Sequence, residues 1–538
     1  MRLTGIRITN HSRLADLDLE VREHLVLVGP NDVGKSSVLR CLDLLLGASI
    51  AALYQRIEIA DFRKKDDPFV VECDLTDFTP DDEALFPDEI TVDATTGAKK
   101  LTIRLEATLD LTDTLRVERT APDGGTGRQI SRDQTAALRW ALLGATSMSR
   151  DLRDDRKSVV DEILQAIDLG AEQADFDALT TQLEQTLADS TVLTALRADL
   201  AIQLTKALPE EIEQDSLTFV PGSAADADAL SGVRLQVTKD GAQRALSEQS
   251  DGTRALYAIA LYDLVSAAAN IVAIDEPEVH LHPTSQRSLA RLLQASSNQK
   301  ILATHSADVV GAFPPECIAS VRVGGNVVQP SANFLSNEER MVVHWWVRDK
   351  LEPLTARRVI AVEGASDRIL VERASDVTGR NLDRLGISLV ETDGAGDMGA
   401  IVKLFGPSGF DIPMSMLIDK DATTATAGKL GVLEADLERH GVKVSDPDLE
   451  GEYVDALGAD VVWAAIAAST LFSNNERANC TTSGAGGTRT AEDVADFCRR
   501  KKNGYKVRAA MVVAPLLTDV TARQVASVER LLTEITSP

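Results

Sequence analysis

Cysteine is scarce, five in 538 residues, and none of Cys41, Cys73, Cys317, Cys480 and Cys498 stands in a C-x-x-C spacing. So dispersed and odd-numbered a set excludes a disulfide framework and a zinc knuckle, and points to a reducing cytoplasm. Long apolar runs are missing too. Nothing approaches the ~20 residues that a membrane helix needs, so no membrane partner is expected. The opening MRLTGIRITNHSRL has no continuous apolar stretch of the kind a secretory signal carries. Positive charge is the third shortage: 56 Lys and Arg face 83 Asp and Glu, a net charge of −27. A field of that sign repels nucleic acid, so contact with DNA or RNA would need a local basic surface or bound cations. What remains is ordinary globular material, 44% apolar and 26% charged. At ~150 residues per domain the length implies three or four units.

Short alternating strands open the chain around Leu3, Ile6, Ile8, Leu17 and Leu19, followed by the apolar run Leu25 to Val28. Further strands are expected at Phe69 to Leu75, Ile90 to Val92 and Leu101 to Leu109, with Gly97 in a hairpin. From about Ser131 to Leu208 the period becomes helical. Val159, Val160, Ile163, Leu164 and Ile167 mark one face, and Phe176, Leu179, Leu183 and Leu187 another. Leu193, Leu196, Leu200 and Leu204 mark a third. Helices of this length between strand-rich segments suggest an inserted arm or dimerisation bundle, with packing on the same core as the alternative. Strands resume near Val233 to Val237, a connector containing Trp345 and Trp346 follows, and a second α/β pattern runs from Arg357 onward. The patch at 483–487, SGAGG, reads as a flexible loop.

Gly29 to Ser37, GPNDVGKSS, fits G-x-x-x-x-G-K-[ST] between an apolar strand and a helix. Glycines there let backbone N–H groups wrap phosphate oxygens, Lys35 reaches the β- and γ-phosphates, and Ser36 binds Mg²⁺. Asn31, Gly34 and Ser37 complete the nucleotide-binding set. The buried strand Ile271 to Ile274 ends in Asp275, placed to hold the same ion, and in Glu276, placed to polarise the attacking water. His305, after the next strand, sits where a γ-phosphate contact belongs. His280 and His282 lack a third ligand and read as structural. This set resembles the ABC-type ATPase head of DNA-repair and chromosome-organising ATPases. That resemblance implies that two heads sandwich ATP, with Ser250 and Gly252 of Ser250-Asp-Gly-Thr-Arg254 contacting the opposite nucleotide. The loop departs from LSGGQ, with Asp for the first Gly and Thr for Gln. Gln55 is a candidate Q-loop residue.

The second constellation is acidic. Val359 to Val362 leads into Glu363, Gly364 and Asp367, and Ser415 to Ile418 leads into Asp419 and Asp421. Alternation along an extended strand end sends Asp419 and Asp421 to the same side, and Glu450 and Glu452 repeat the i, i+2 spacing. Carboxylates at the C-terminal edge of a parallel sheet suit a divalent cation. The densest basic run, Arg499 to Arg508, offers a phosphate-binding surface for DNA. Within it Lys506 is the candidate to stabilise charge on a scissile phosphate.

The acidic set resembles the Toprim fold. By that resemblance Glu363, Asp419 and Asp421 are primary ligands, and Asp367, Glu450 and Glu452 ligands for a second Mg²⁺ or Mn²⁺. Taken together, head, arm and Toprim domain resemble the OLD (overcoming lysogenization defect) family of ATP-dependent nucleases. The expected fold is α/β. An ABC-type head would occupy 1–130 and 216–340, a helical dimerisation arm 131–215, and a Toprim domain 355–538. The family implies a homodimer or larger assembly that cleaves DNA with ATP and metal, in anti-phage defence or repair, and a helicase is a further candidate partner. A DNA-binding ATPase clamp without nuclease activity, and a Toprim ribonuclease, are the competing classes.

Overall fold

The computed structural model describes residues 1–125, 128–144, 182, 185–207, 211–220, 234–239, 242–245, 252–253, 256, 269–279, 281–339, 352–392, 398–500 and 504–536. They form two compact units, Met1–Val327 and Val328–Pro538. The helical faces expected at Val159 to Ile167 and at Phe176 to Leu183, the pair Trp345 and Trp346, and Ser250 lie outside the described residues.

The first unit contains a six-stranded sheet built from β1 (Leu25–Val28), β2 (Trp140–Gly144), β3 (Ile271–Asp275), β4 (Gln299–Thr304), β5 (Ile318–Val321) and β6 (Val327–Val328), in the order β6-β5-β1-β4-β3-β2. Strands β5, β1, β4, β3 and β2 run parallel. β1, β4 and β5 are buried along their whole length and β3 from Ile271 to Ile274, which explains why LVLV and IVAI read as continuous apolar runs rather than alternating ones. A seven-stranded sheet accompanies it, with Arg2–Thr9 between Leu17–Glu20 and Phe69–Thr76, and Lys99–Leu109 beyond. The expected hairpin is present: Thr91–Val92 pairs with Lys99–Leu109 around a turn in which Gly97 has φ +70°. The helix Lys35–Leu46 packs on both sheets through Val38, Leu39, Leu42 and Leu45.

Two expectations need correction. The helical period expected from Ser131 is broken almost at once: after the short helix Arg132–Ala137 the chain forms β2, paired in parallel with β3 (Trp140↔Ile271 to Gly144↔Asp275). Local periodicity cannot reveal a partner so distant in sequence. The SGAGG loop is pinned rather than loose: Gly484 N–H donates to Thr488 O, and Asp493 accepts from Thr481, Ser483 and Thr490 on either side.

The second unit is a four-stranded parallel sheet of β7 (Arg358–Val362), β8 (Ile387–Glu391), β9 (Met414–Asp419) and β10 (Val442–Ser445), in the order β8-β7-β9-β10. Alternate residues feed two cores. Ile360, Val362 and Leu417 pack with Leu370, Tyr453 and Ala509, while Ala361, Met416 and Ile418 pack with Ala427 and Leu437. From β7 the chain goes to one side for β8 and returns to the other for β9. That leaves a switch point at the C-terminal ends of β7 and β9, where ligands of open α/β sheets bind.

Candidate functional site

In the first unit, β1, β4 and β3 lie side by side, so the segments following them meet at one sheet edge. Gly29 is forced by space: a Cβ there would stand 2.2 Å from Val321 O. Gly34 caps the helix at φ +111°, with Leu14 Cδ2 only 2.6 Å from where a Cβ would be. Lys35 is buried and its Nζ donates to Gly29 O (2.9 Å) and Pro30 O (2.7 Å), and burial lowers its pKa. Ser36 Oγ donates to Asp275 Oδ1 at 3.0 Å, so the two residues expected to share a cation are already adjacent. Burial raises the Asp275 carboxyl. Asn31 is exposed and Ser37 half-buried at the same helix start. Glu276 takes φ +49° and its N–H bonds Ala303 O at 2.8 Å. Gly252 is half-buried and Gln55 sits in the helix Ile50–Arg56. His282 caps the helix Pro283–Ala295, in keeping with its structural reading.

Sequence reasoning missed one residue here. Glu278, 4% exposed, accepts from His305 N–H at 2.7 Å, and its Oε1 lies 3.0 Å from His305 Nδ1. Its place three residues beyond Asp275, in DEPE, was the available signal.

The second unit gathers the acids. Asp419 N–H donates to Glu363 Oε1 at 2.9 Å across the β7–β9 boundary. One oxygen from each of Glu363, Asp419 and Asp421 lies within 4.8 Å of the others. Asp419 Oδ1 accepts from Leu449 N–H (3.1 Å), and Oδ2 accepts from Lys506 Nζ (2.8 Å). Lys506 also stands 3.4 Å from Glu450 and 4.0 Å from Asp367. Asp367 is buried at the start of the helix Ala365–Val377 and accepts from Gly364 N–H and Ser366 Oγ. Glu450, 1% exposed, accepts no hydrogen bond on either oxygen among the described residues.

Burial pushes Glu450 up to about 8 against the opposing pull of Lys506, and raises Glu363 and Asp367 as well. Burial alone would lower Lys506, but Glu450, Asp367 and Asp419 outweigh it and hold the ammonium charged. These oxygens fit a hard divalent cation. Ligands ~2.1 Å from a common centre stand at most about 4.2 Å apart, so modest side-chain rotation closes the set. A carboxylate buried with both oxygens lacking hydrogen bonds fits the same purpose.

Glu452 is not brought to this cluster. The segment is helical (Leu449–Leu457), where residues two apart point ~200° apart rather than to one side. Its Oε2 accepts instead from Ser527 N–H (2.8 Å) and Ser527 Oγ (2.7 Å), and its Oε1 from Asp446 N–H (3.2 Å). The basic run is also largely spoken for. Arg499 pairs with Asp448, Glu492 and Asp496, and Arg508 with Glu476. Arg500 stacks on Phe497 and donates to Asn479 O, with no carboxylate partner among the described residues. Lys501 and Lys502 lie outside the described residues.

Fold and site together define a P-loop ATPase joined to a Toprim-type acidic centre. Residues 25–310, more than half of the chain, match the family model "AAA domain, putative AbiEii toxin, Type IV TA system", and the chain belongs to that family. Residues 354–421 match the "Overcoming lysogenization defect protein-like, TOPRIM domain". The chain is homologous to "Endonuclease GajA" of Bacillus cereus (strain VD045), 22% identical over 423 residues, 73% of this chain and 71% of the relative. It is likewise homologous to "OLD nuclease" of Thermus scotoductus (strain ATCC 700910 / SA-01), 24% identical over 453 residues, 78% and 82% of the two chains. Among solved structures, the C-terminal region of the Burkholderia pseudomallei OLD protein is 24% identical. It covers 34% of this chain and 97% of that one, at a TM-score of 0.28.

Proposed function

We propose that the protein is an ATP-regulated, divalent-metal-dependent DNA endonuclease. The observation that carries this reading is the convergence of Glu363, Asp419 and Asp421 at the β7–β9 switch point with Lys506 bonded to Asp419. The homology to an endonuclease and a nuclease supports it.

Glu363, Asp419 and Asp421 would hold the primary cation, Mg²⁺ or Mn²⁺, with Asp367 and Glu450 beside it. Bound there, divalent ions supply Lewis-acid polarisation of a phosphodiester and a water of lowered pKa. Lys506 carries a fixed positive charge at the same cluster, suited to the extra negative charge that builds on a scissile phosphate. The cations and Lys506 supply the local positive field that a chain of net charge −27 otherwise denies to DNA. In the head, Lys35 would bind the β- and γ-phosphates, Ser36 and Asp275 the nucleotide's cation, and Glu276 would accept a proton from the attacking water. We take the working form to be a cytoplasmic homodimer or larger assembly acting in anti-phage defence.

The test uses supercoiled plasmid with Mg²⁺ or Mn²⁺, with and without ATP. Wild-type protein nicks or linearises it, and Asp419→Ala abolishes cleavage while phosphate release from ATP survives. Unchanged cleavage by that variant removes Asp419 from the mechanism. Wild-type protein that hydrolyses ATP but leaves plasmid intact in both metals overturns the nuclease reading.

A further inference from the structure

Glu276 has a stated task in the head, but the acid two residues beyond it has a more confined geometry. The Glu278 side chain is 3% exposed, whereas the His305 side chain it touches is 47% exposed. A single oxygen, Oε1, accepts from His305 N–H (2.7 Å) and stands 3.0 Å from the ring Nδ1, so the backbone and the ring of one residue meet the same acceptor. The other oxygen, Oε2, is buried with no hydrogen-bond partner among the described residues. Such a group costs stability, and a purely structural anchor for one backbone N–H does not require a carboxylate. Glu278 also lies within electrostatic reach of Lys35 and Asp275, both of the nucleotide site.

We infer that Glu278 is a positioning residue for ATP hydrolysis, holding His305 with Nδ1–H on the carboxylate and Nε2 turned outward to the γ-phosphate. This rests on the reading of the head as an ATP-hydrolysing site. In the reaction, a water oxygen bonds to the γ-phosphorus as the β–γ bridging P–O bond breaks, and that electron pair leaves on ADP. The water's proton passes to Glu276. Glu278 touches none of these atoms. It acts by removing the freedom of the imidazole to rotate or to carry its proton on the wrong nitrogen, as carboxylates behind functional histidines do elsewhere.

Steady-state phosphate release by the full chain tests this with Glu278→Gln, Glu278→Ala, His305→Ala and the combined variants. Loss of an orienting partner of this kind costs about 10–100-fold, so Glu278→Ala lowers kcat by that factor and leaves the KM for ATP within about twofold. On the His305→Ala background the Glu278 substitutions cause no further loss. Glu278→Gln keeps an acceptor for both N–H groups and recovers part of kcat, and carries the same test if Glu278→Ala fails to fold. Additive losses, a raised KM at unchanged kcat, or wild-type kcat in folded Glu278→Gln and Glu278→Ala overturns the inference while the ATPase reading stands. A wild-type chain that hydrolyses no ATP overturns both.

Discussion

Glu450 and Glu452 are separated by one residue and by different surroundings. Glu450 is buried beside Lys506, Asp419 and Asp367, and its carboxyl holds its proton up to about pH 8. Glu452 spends its charge on the backbone and hydroxyl of Ser527, at the start of the helix Ala526–Thr536. The first arrangement penalises the charged form, whereas the second ties the side chain to a helix start. A bound divalent cation would draw Glu450 into its anionic form, which an amide cannot supply, so Glu450→Gln lowers metal-dependent cleavage by about 100-fold or more. Its melting temperature holds or rises, because a neutral amide replaces a group the fold disfavours as an anion. Glu452→Ala does the reverse. It removes a cap worth about 1–2 kcal/mol, and cleavage per folded molecule is unchanged. Thermal melts and plasmid cleavage on both variants separate the roles, and a cleavage loss in Glu452→Ala alone would reassign them.

At the scale of elements, the motifs are legible wherever a strand ends in a candidate site residue. β1 with its P-loop, β3 with Asp275, β7 with Glu363 and β9 with Asp419 each carry the signal in consecutive residues, since a doubly covered parallel strand is apolar throughout. What escaped depended on pairing or on helix phase. Trp140–Gly144 is a strand because β3 lies beside it, and Glu452 leaves the site because its segment is helical. Glu278 was passed over because its role depends on β4 placing His305 next to it.

The β1–β4 junction also contains a titrating element. His24, just before β1, accepts from Lys300 N–H of β4 through Nδ1 at 3.1 Å, so its ring must be neutral with the proton on Nε2. Burial lowers its pKa, so the unfolded chain takes up the proton first as pH falls. Stability is then full above the unfolded value near 6.5 and declines as pH drops below it. His24→Gln narrows the difference between melting temperatures at pH 7.5 and 5.5, and an undiminished difference would place the acid sensitivity elsewhere.

For the whole molecule, the chain keeps two chemistries in two compact units, each with its own parallel sheet and its own core. Lys35 organises the loop between β1 and its helix, whereas Glu363, Asp419 and Lys506 are positioned by β7, β9 and the helix Tyr505–Val513. No hydrogen bond described at the acidic centre depends on the P-loop, so removing Lys35 should leave that centre intact. The acidic balance of the chain makes the distinction sharper, because under the proposed function bound cations, and not the bulk field, would draw phosphate. Lys35→Ala thus lowers ATP turnover by at least about 100-fold through loss of the phosphate-binding ammonium. Metal-dependent nicking without ATP stays within about tenfold of wild type, because Lys506 and the carboxylates keep their charge stabilisation. Phosphate release and plasmid nicking measured on one folded preparation decide the point. An equal collapse of both activities would mean that cutting requires the nucleotide-bound head, and the two centres would then be a single obligately coupled machine.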